Sequence, residues 1–165
     1  TPYFPNYPPL TPEEMMELAR QGAEYLENGG DIEEFQKNPG KFTKGVFLDY
    51  RYLSVADCKR KTALAHPFMP NVVNVPGLMH QIKDATGRAY NAEMCAAALK
   101  NPKGAWGVTF VKKPGEEIID LLYQYYIHVK NTDLIVAVFS RNLRIESYLE
   151  QRAREEEAIL NSLVE

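Results

Sequence analysis

The stretch Ala105–Ser140, AWGVTFVKKPGEEIIDLLYQYYIHVKNTDLIVAVFS, decides the fold. Trp106, Val108 and Phe110 alternate with Gly107, Thr109 and Val111 up to Lys113, the period of two that puts successive side chains on opposite faces of a sheet. Pro114-Gly115 reads as a turn, Ile118 to Lys130 as a long aromatic strand, Asn131-Thr132 as a second turn and Asp133 to Ser140 as a third strand. Three consecutive strands joined by tight turns make an antiparallel meander.

Upstream of the meander, Asn91 reads as the cap of a helix reaching about Lys100, with Met94, Ala97, Ala98 and Leu99 available for burial. Before it lies Thr62–Arg88, TALAHPFMPNVVNVPGLMHQIKDATGR. A short apolar strand, Thr62 to Ala65, runs into His66-Pro67 and a proline-punctuated loop that ends on the polar turn Lys83–Arg88. Long irregular segments in small domains are usually functional, because their ordering entropy has to be offset. From Val46 to about Asp57, the residues Val46, Phe47, Leu48, Tyr50, Tyr52, Leu53 and Val55 favour a strand with imperfect alternation. Cys58-Lys59-Arg60-Lys61 turns that strand into a hairpin.

At the start, residues 1–10 hold four prolines and read as an extended arm. Thr11-Pro12-Glu13-Glu14 carries a cap, a proline at the first helical position and the glutamate of a capping box. Met15, Leu18, Ala19, Gly22, Ala23 and Leu26 continue at helical spacing until Asn28-Gly29-Gly30. Asp31 to Lys37 reads as a second short helix capped by Asp31. At the other end, Arg141–Glu165 is rich in helix formers with a thin apolar stripe through Leu149, Ala153, Leu160 and Leu163, enough to lie on a neighbour or to pair with a copy of itself. The expected fold is therefore α+β: a five-stranded antiparallel sheet with helices mainly on one face, and a cavity on the other beneath the central loop. Residues 11–140 would form the domain, with 1–10 as its arm and 141–165 as a helical extension.

Composition narrows the function. Nineteen basic against 22 acidic residues leave a net charge of -3 without a basic block, which argues against a nucleic-acid surface. The longest apolar run, Leu134–Phe139, is far shorter than a membrane span requires. The chain opens on Thr1 rather than Met, as a processed or trimmed product does. Cys58 and Cys95 match neither a zinc site nor a redox CxxC motif, and two readings stay open: one disulfide, or two buried thiols.

Catalytic sets are missing from the sequence. His66, His80 and His128 lack metal-ligand spacing, and no nucleotide or nucleophile motif is found. The chain instead concentrates amphipathic aromatics on predicted strands: Tyr50, Tyr52, Trp106, Tyr123, Tyr125 and Tyr126. Strand parity places Tyr123 and Tyr125 on one face and Tyr126 with His128 on the other, so they cannot all line one site.

Asn38-Pro39-Gly40-Lys41-Phe42, Leu64-Ala65-His66-Pro67, Leu78 through Lys83–Arg88 into Glu93-Met94, Gly104-Ala105-Trp106-Gly107-Val108, and Tyr126 followed by Asp133-Leu134-Ile135-Val136 together resemble the single Cache domain, over about residues 12–140. The resemblance implies a PAS-like extracytoplasmic sensor fold with a ligand cavity between sheet and loop. Relatives in bacterial chemoreceptors and sensor kinases bind short carboxylates such as acetate, propionate or pyruvate. Carried over by motif, His66, Trp106 and Tyr126 become ligand-binding candidates. The chain departs from the pattern with Asp57-Cys58 and Lys61 in the first hairpin, and with Tyr123 where a lysine is frequent. Arg51 or His66 would then stand in for the missing cation, with Tyr52 and Tyr123 completing the set; otherwise the ligand is neutral, aromatic or a cofactor.

The expectation is a non-enzymatic, periplasmic or otherwise extracytoplasmic binding module in chemotaxis or signal transduction. It would bind a small organic acid or similar polar metabolite, with no cofactor and with homodimerisation through the terminal helices open. The alternatives are a PAS-like protein holding haem or another chromophore through His66 or His80, and a soluble subunit that docks through its C-terminal helix.

Overall fold

The computed structural model describes residues 10–43, 51–112, 119–140 and 145–164. The extended arm before Leu10, the first part of the Val46–Asp57 strand with Tyr50, the Pro114-Gly115 turn and the first residues of the tail lie outside them.

Helix α1 (Pro12–Glu27) starts where Thr11 and Glu14 form the capping box: the Thr11 hydroxyl accepts from Glu14 N at 3.2 Å and the Glu14 carboxylate accepts from Thr11 N at 3.2 Å. A short 3-10 helix, Ile32–Gln36, follows with Asp31 as its cap. The strands β1 (Tyr52–Asp57), β2 (Thr62–Ala65), β3 (Ala105–Lys112), β4 (Ile119–His128) and β5 (Leu134–Ser140) form one antiparallel sheet in the order β2-β1-β5-β4-β3. β1 and β2 are a hairpin whose register shifts between Val55 and Ala56. The imperfect alternation at Tyr52-Leu53 fits a strand buried on both faces, since every residue of β1 is buried.

Each face of the sheet carries its own core. On one face, Met15, Leu18, Ala19 and Ala23 of α1 pack on Leu53, Val55, Tyr123, Tyr125, Val136 and Val138. Gly22 permits this close approach, since a β-carbon there would lie 2.7 Å from Leu53 Cδ2. On the other face, Met94, Cys95 and Ala98 of helix α2 (Tyr90–Lys100) pack with Ala56, Leu122, Ile135, Ala137 and Phe139. The division follows the parity of β4, with Tyr123 and Tyr125 beneath α1 and Tyr126 on the α2 side.

Two local expectations change. Helix α2 begins two residues early, after Ala89, which makes no side-chain cap; Asn91 lies inside the helix and donates from Nδ2 to the Met79 carbonyl at 3.1 Å. Satisfying a buried loop carbonyl outweighs capping, because an unpaired buried C=O costs as much as a lost bond. Leu99 is half exposed, while Met94 and Ala98 fill the core, since α2 turns only a narrow face to the sheet.

Of the two readings of the cysteines, the disulfide is realised. Cys58, in the hairpin turn, is bonded to Cys95, in the middle of α2, across a sequence separation of 37 residues. Helix α3 (Ile145–Leu163) lies beside α1 and β3, where Arg154 pairs with Glu13 at 3.3 Å and the Trp106 indole donates to Glu155 at 3.1 Å. Leu149, Ile159, Leu160 and Leu163 remain exposed on it. No helix among the described residues is long and apolar enough to cross a membrane.

Candidate functional site

The irregular segment between β2 and α2 is pinned at both ends. At its start, one side chain holds both backbone groups of His66: Gln36 Nε2 donates to the His66 carbonyl at 3.1 Å, and His66 N donates to Gln36 Oε1 at 2.5 Å. At its end, the Asp84 carboxylate accepts from Thr86 N, Thr86 Oγ1, Arg88 N and Phe110 N, fastening the turn to β3. Burial pushes the Asp84 carboxyl up, but these hydrogen bonds outweigh it and hold the group down at about 2. Between the two anchors, Asn74 N donates to Ala63 O at 2.8 Å, with Asn74 in the left-handed region at φ 61°. Gly77 adopts φ 77° where the chain doubles back into the 3-10 helix Leu78–Gln81, a conformation glycine enters without steric cost.

Beneath this loop is an aromatic cluster around Tyr52. Its ring stacks on Phe139 with centroids 4.9 Å apart and planes 7° apart, takes the edge of Phe68 at 4.9 Å, and meets the tilted His66 ring at 5.1 Å. Beside the cluster is a cavity of about 20 Å³, room for a single water. Its wall is mainly apolar, with Met69, Val72 and Met79 from the loop, Met94 from α2, and Ile135 and Ala137 from β5. Ser54, His66, Tyr90 and Asn91 supply the polar atoms. His66 Nδ1 is buried without a hydrogen-bond partner, and burial pulls the imidazole down to about 4, so the ring is neutral at physiological pH. Burial likewise pushes the Tyr52 and Tyr90 phenols up.

The structure brings together some of the six residues singled out from sequence. His66 is in the cavity wall, and the Tyr52 ring meets it at a tilt from outside the wall. Tyr126 shares that face, but its hydroxyl donates to the Trp106 carbonyl at 3.1 Å. Trp106 and Tyr123 belong to the opposite face, in the core with α1. Arg51 precedes Tyr52 and is not part of the cavity wall. Trp106 instead lines a wide groove of about 830 Å³ between α3 and the α2–β3 connection, together with Met16, Lys103, Arg152 and Ile159.

The wall also uses residues that sequence reasoning passed over. Gln36 is thirty residues from the backbone it clamps, and nothing in the chain marks that pairing. Met69 and Met79 carried a signal, two adaptable methionines in a loop punctuated by prolines. Among the described residues, no three His, Cys, Asp or Glu side chains converge as a metal site would need.

No family model matches the chain, and no curated protein matches it in sequence. Solved structures do match in fold. A Cache chemosensory domain, solved for its recognition of carboxylic acids, superposes with a TM-score of 0.57 at 17% identity over 77% of this chain and 90% of that one. A methyl-accepting chemotaxis protein from Vibrio parahaemolyticus RIMD 2210633 gives 0.55 at 14% identity over 77% and 83%. The periplasmic sensor domain of a chemotaxis protein gives 0.52 at 12% identity over 77% and 87%. The chain has the α+β, PAS-like fold of a single Cache domain.

Proposed function

We propose that this chain, folded as a single Cache domain, is a non-catalytic sensor of a small molecule that binds beneath the His66–Arg88 loop. The observation that carries the reading is the buried, unpartnered Nδ1 of His66, a residue in the wall of a mainly apolar cavity. Buried polar atoms are nearly always paired, and an orphan in a cavity wall marks a place where a partner arrives from outside.

The cavity as folded is too small for an organic ligand, so binding displaces the segment between the Gln36 clamp and the Asp84 turn. A ligand favours the displaced arrangement by the difference in its affinity for the two. Extracytoplasmic localisation draws support from the Cys58–Cys95 disulfide, a bond that persists in oxidising compartments, and from fold neighbours that include a periplasmic domain.

Thermal-shift screening of the purified chain against short organic acids, amides, ketones, amino acids and amines tests the proposal. A ligand at about 100 times its Kd stabilises by about 2.7 kcal/mol, a shift of several degrees. A folded protein stabilised by none of these classes would overturn it.

A further inference from the structure

Among the described residues, the cavity wall carries no charged side chain, and the fold explains how it stays neutral. Ile135, Ala137 and Phe139 rise from β5, which is buried along nearly its whole length. Met69 and Met79 hang from the loop and Met94 from α2. Polar capacity is already partly spent, since Asn91 donates to the Met79 carbonyl. Beside the hydroxyls of Ser54 and Tyr90, His66 contributes to the wall a fully buried nitrogen with no hydrogen-bond partner, Nδ1. Burial keeps that imidazole unprotonated far below neutral pH, so it presents a dipole and not a cation. A carboxylate entering such a wall would lose its hydration with no opposite charge to replace it, which is the costliest form of burial.

We propose that the ligand of this cavity is a small, uncharged, mainly apolar molecule with a single hydrogen-bonding group that pairs with His66 Nδ1. The inference rests on the reading of the cavity as the sensor site and adds the ligand's class to it. Three methionines suit such a guest, because their unbranched thioether chains repack around different apolar shapes at small cost. Entry enlarges the cavity by moving the loop that carries Met69, Val72 and Met79, while β5 stays in place.

The chain supplies its own reporters. Of its five methionines, Met69, Met79 and Met94 face the cavity, while Met15 and Met16 belong to α1 on the other side of the sheet. Protein labelled with ¹³C at the methionine methyls is titrated with butanone, butyramide and butyrate, three probes of nearly equal size. The expected result at about pH 7 is saturable movement of the three cavity methyls, with Met15 and Met16 still and the neutral probes at least about tenfold tighter than butyrate. Between about pH 7 and pH 5 butyrate gains affinity roughly tenfold per unit as its neutral form grows. Butyrate binding at pH 7 as tightly as butyramide would overturn the ligand class and leave the sensor site standing. Cavity methyls that respond to none of the three would overturn both.

The role of His66 has a separate readout. His66→Phe keeps a ring in place and is expected to weaken butyramide about tenfold while leaving cyclopentane unaffected; equal affinity of variant and wild type for butyramide would refute the pairing. In the wild-type chain, the imidazole Nδ1 resonance should move with butyramide and stay with cyclopentane, which tests the pairing even where the variant does not fold. A resonance that both probes move equally would refute it.

Discussion

Removing the Cys58–Cys95 bond with the double substitution Cys58→Ala, Cys95→Ala should cost this domain a large share of its stability without dismantling the native state. The crosslink spans 37 residues, and the chain-entropy relation for a loop of that size gives about 4 kcal/mol at 25 °C from the constraint it places on the unfolded chain. The native side should change little. Met94 and Ala98 still pack α2 against the sheet, and the Asn91 bond to the Met79 carbonyl still ties α2 to the loop. For a chain of 165 residues the corresponding fall in Tm is about 8–15 °C. Urea unfolding of the oxidised protein and the variant measures the difference directly, with thiol titration confirming that the wild type carries no free cysteine. A loss below about 1 kcal/mol would refute the reasoning, because it would mean that the unfolded chain already holds the hairpin turn near α2 without the bond.

Three further outcomes follow from side chains described above. The His66 imidazole is held at about 4 against an ordinary value near 6.5, so between those values the unfolded chain binds the extra proton and stability rises with pH; about 3 kcal/mol should be lost as pH falls through that window, and His66→Phe should flatten the slope in urea titrations at pH 7 and pH 4.5. Asp84 is depressed to about 2, so its contribution is present above its ordinary value of 3.8 and lost as pH falls toward 2; after discounting for solvent screening, Asp84→Asn should cost about 1 kcal/mol at pH 7 and almost nothing below pH 2, by the same measurement. Gly22→Ala should destabilise by about 1–3 kcal/mol through overpacking against Leu53 and Val136, whereas an increase in stability would show that α1 can retreat from the sheet at no cost.

Local chemistry made much of the fold legible. The Thr11–Glu14 capping box, the period-two alternation of Trp106, Val108 and Phe110, and the opposite parity of Tyr125 and Tyr126 each rest on residues a few positions apart, and all three stand as read. The site was less legible because its parts come from distant segments. The resemblance of the His66-Pro67 motif pointed to a residue that the structure places in the cavity wall, yet Trp106, carried over by the same route, packs beneath α1 on the far face. Asn91 has the chemistry of a cap and is used for a buried carbonyl twelve residues earlier, a choice that only tertiary packing decides. Whether Cys58 and Cys95 meet depends on where α2 crosses the sheet, which no periodicity encodes.

The Gln36 clamp gives the domain a latch around the sheet rather than through it. Gln36 ends the short turn that follows α1, packed through Phe35 into the core of the α1 face, while the backbone it grips belongs to a residue in the cavity on the opposite face. The two faces are otherwise partitioned by a sheet whose central strands are buried on both sides. A displacement of His66 therefore pulls on a hydrogen-bonded side chain at the β2 margin and reaches the α1 layer by that short detour. Gln36→Ala would cut the detour and leave the shared sheet to carry whatever passes between the two faces.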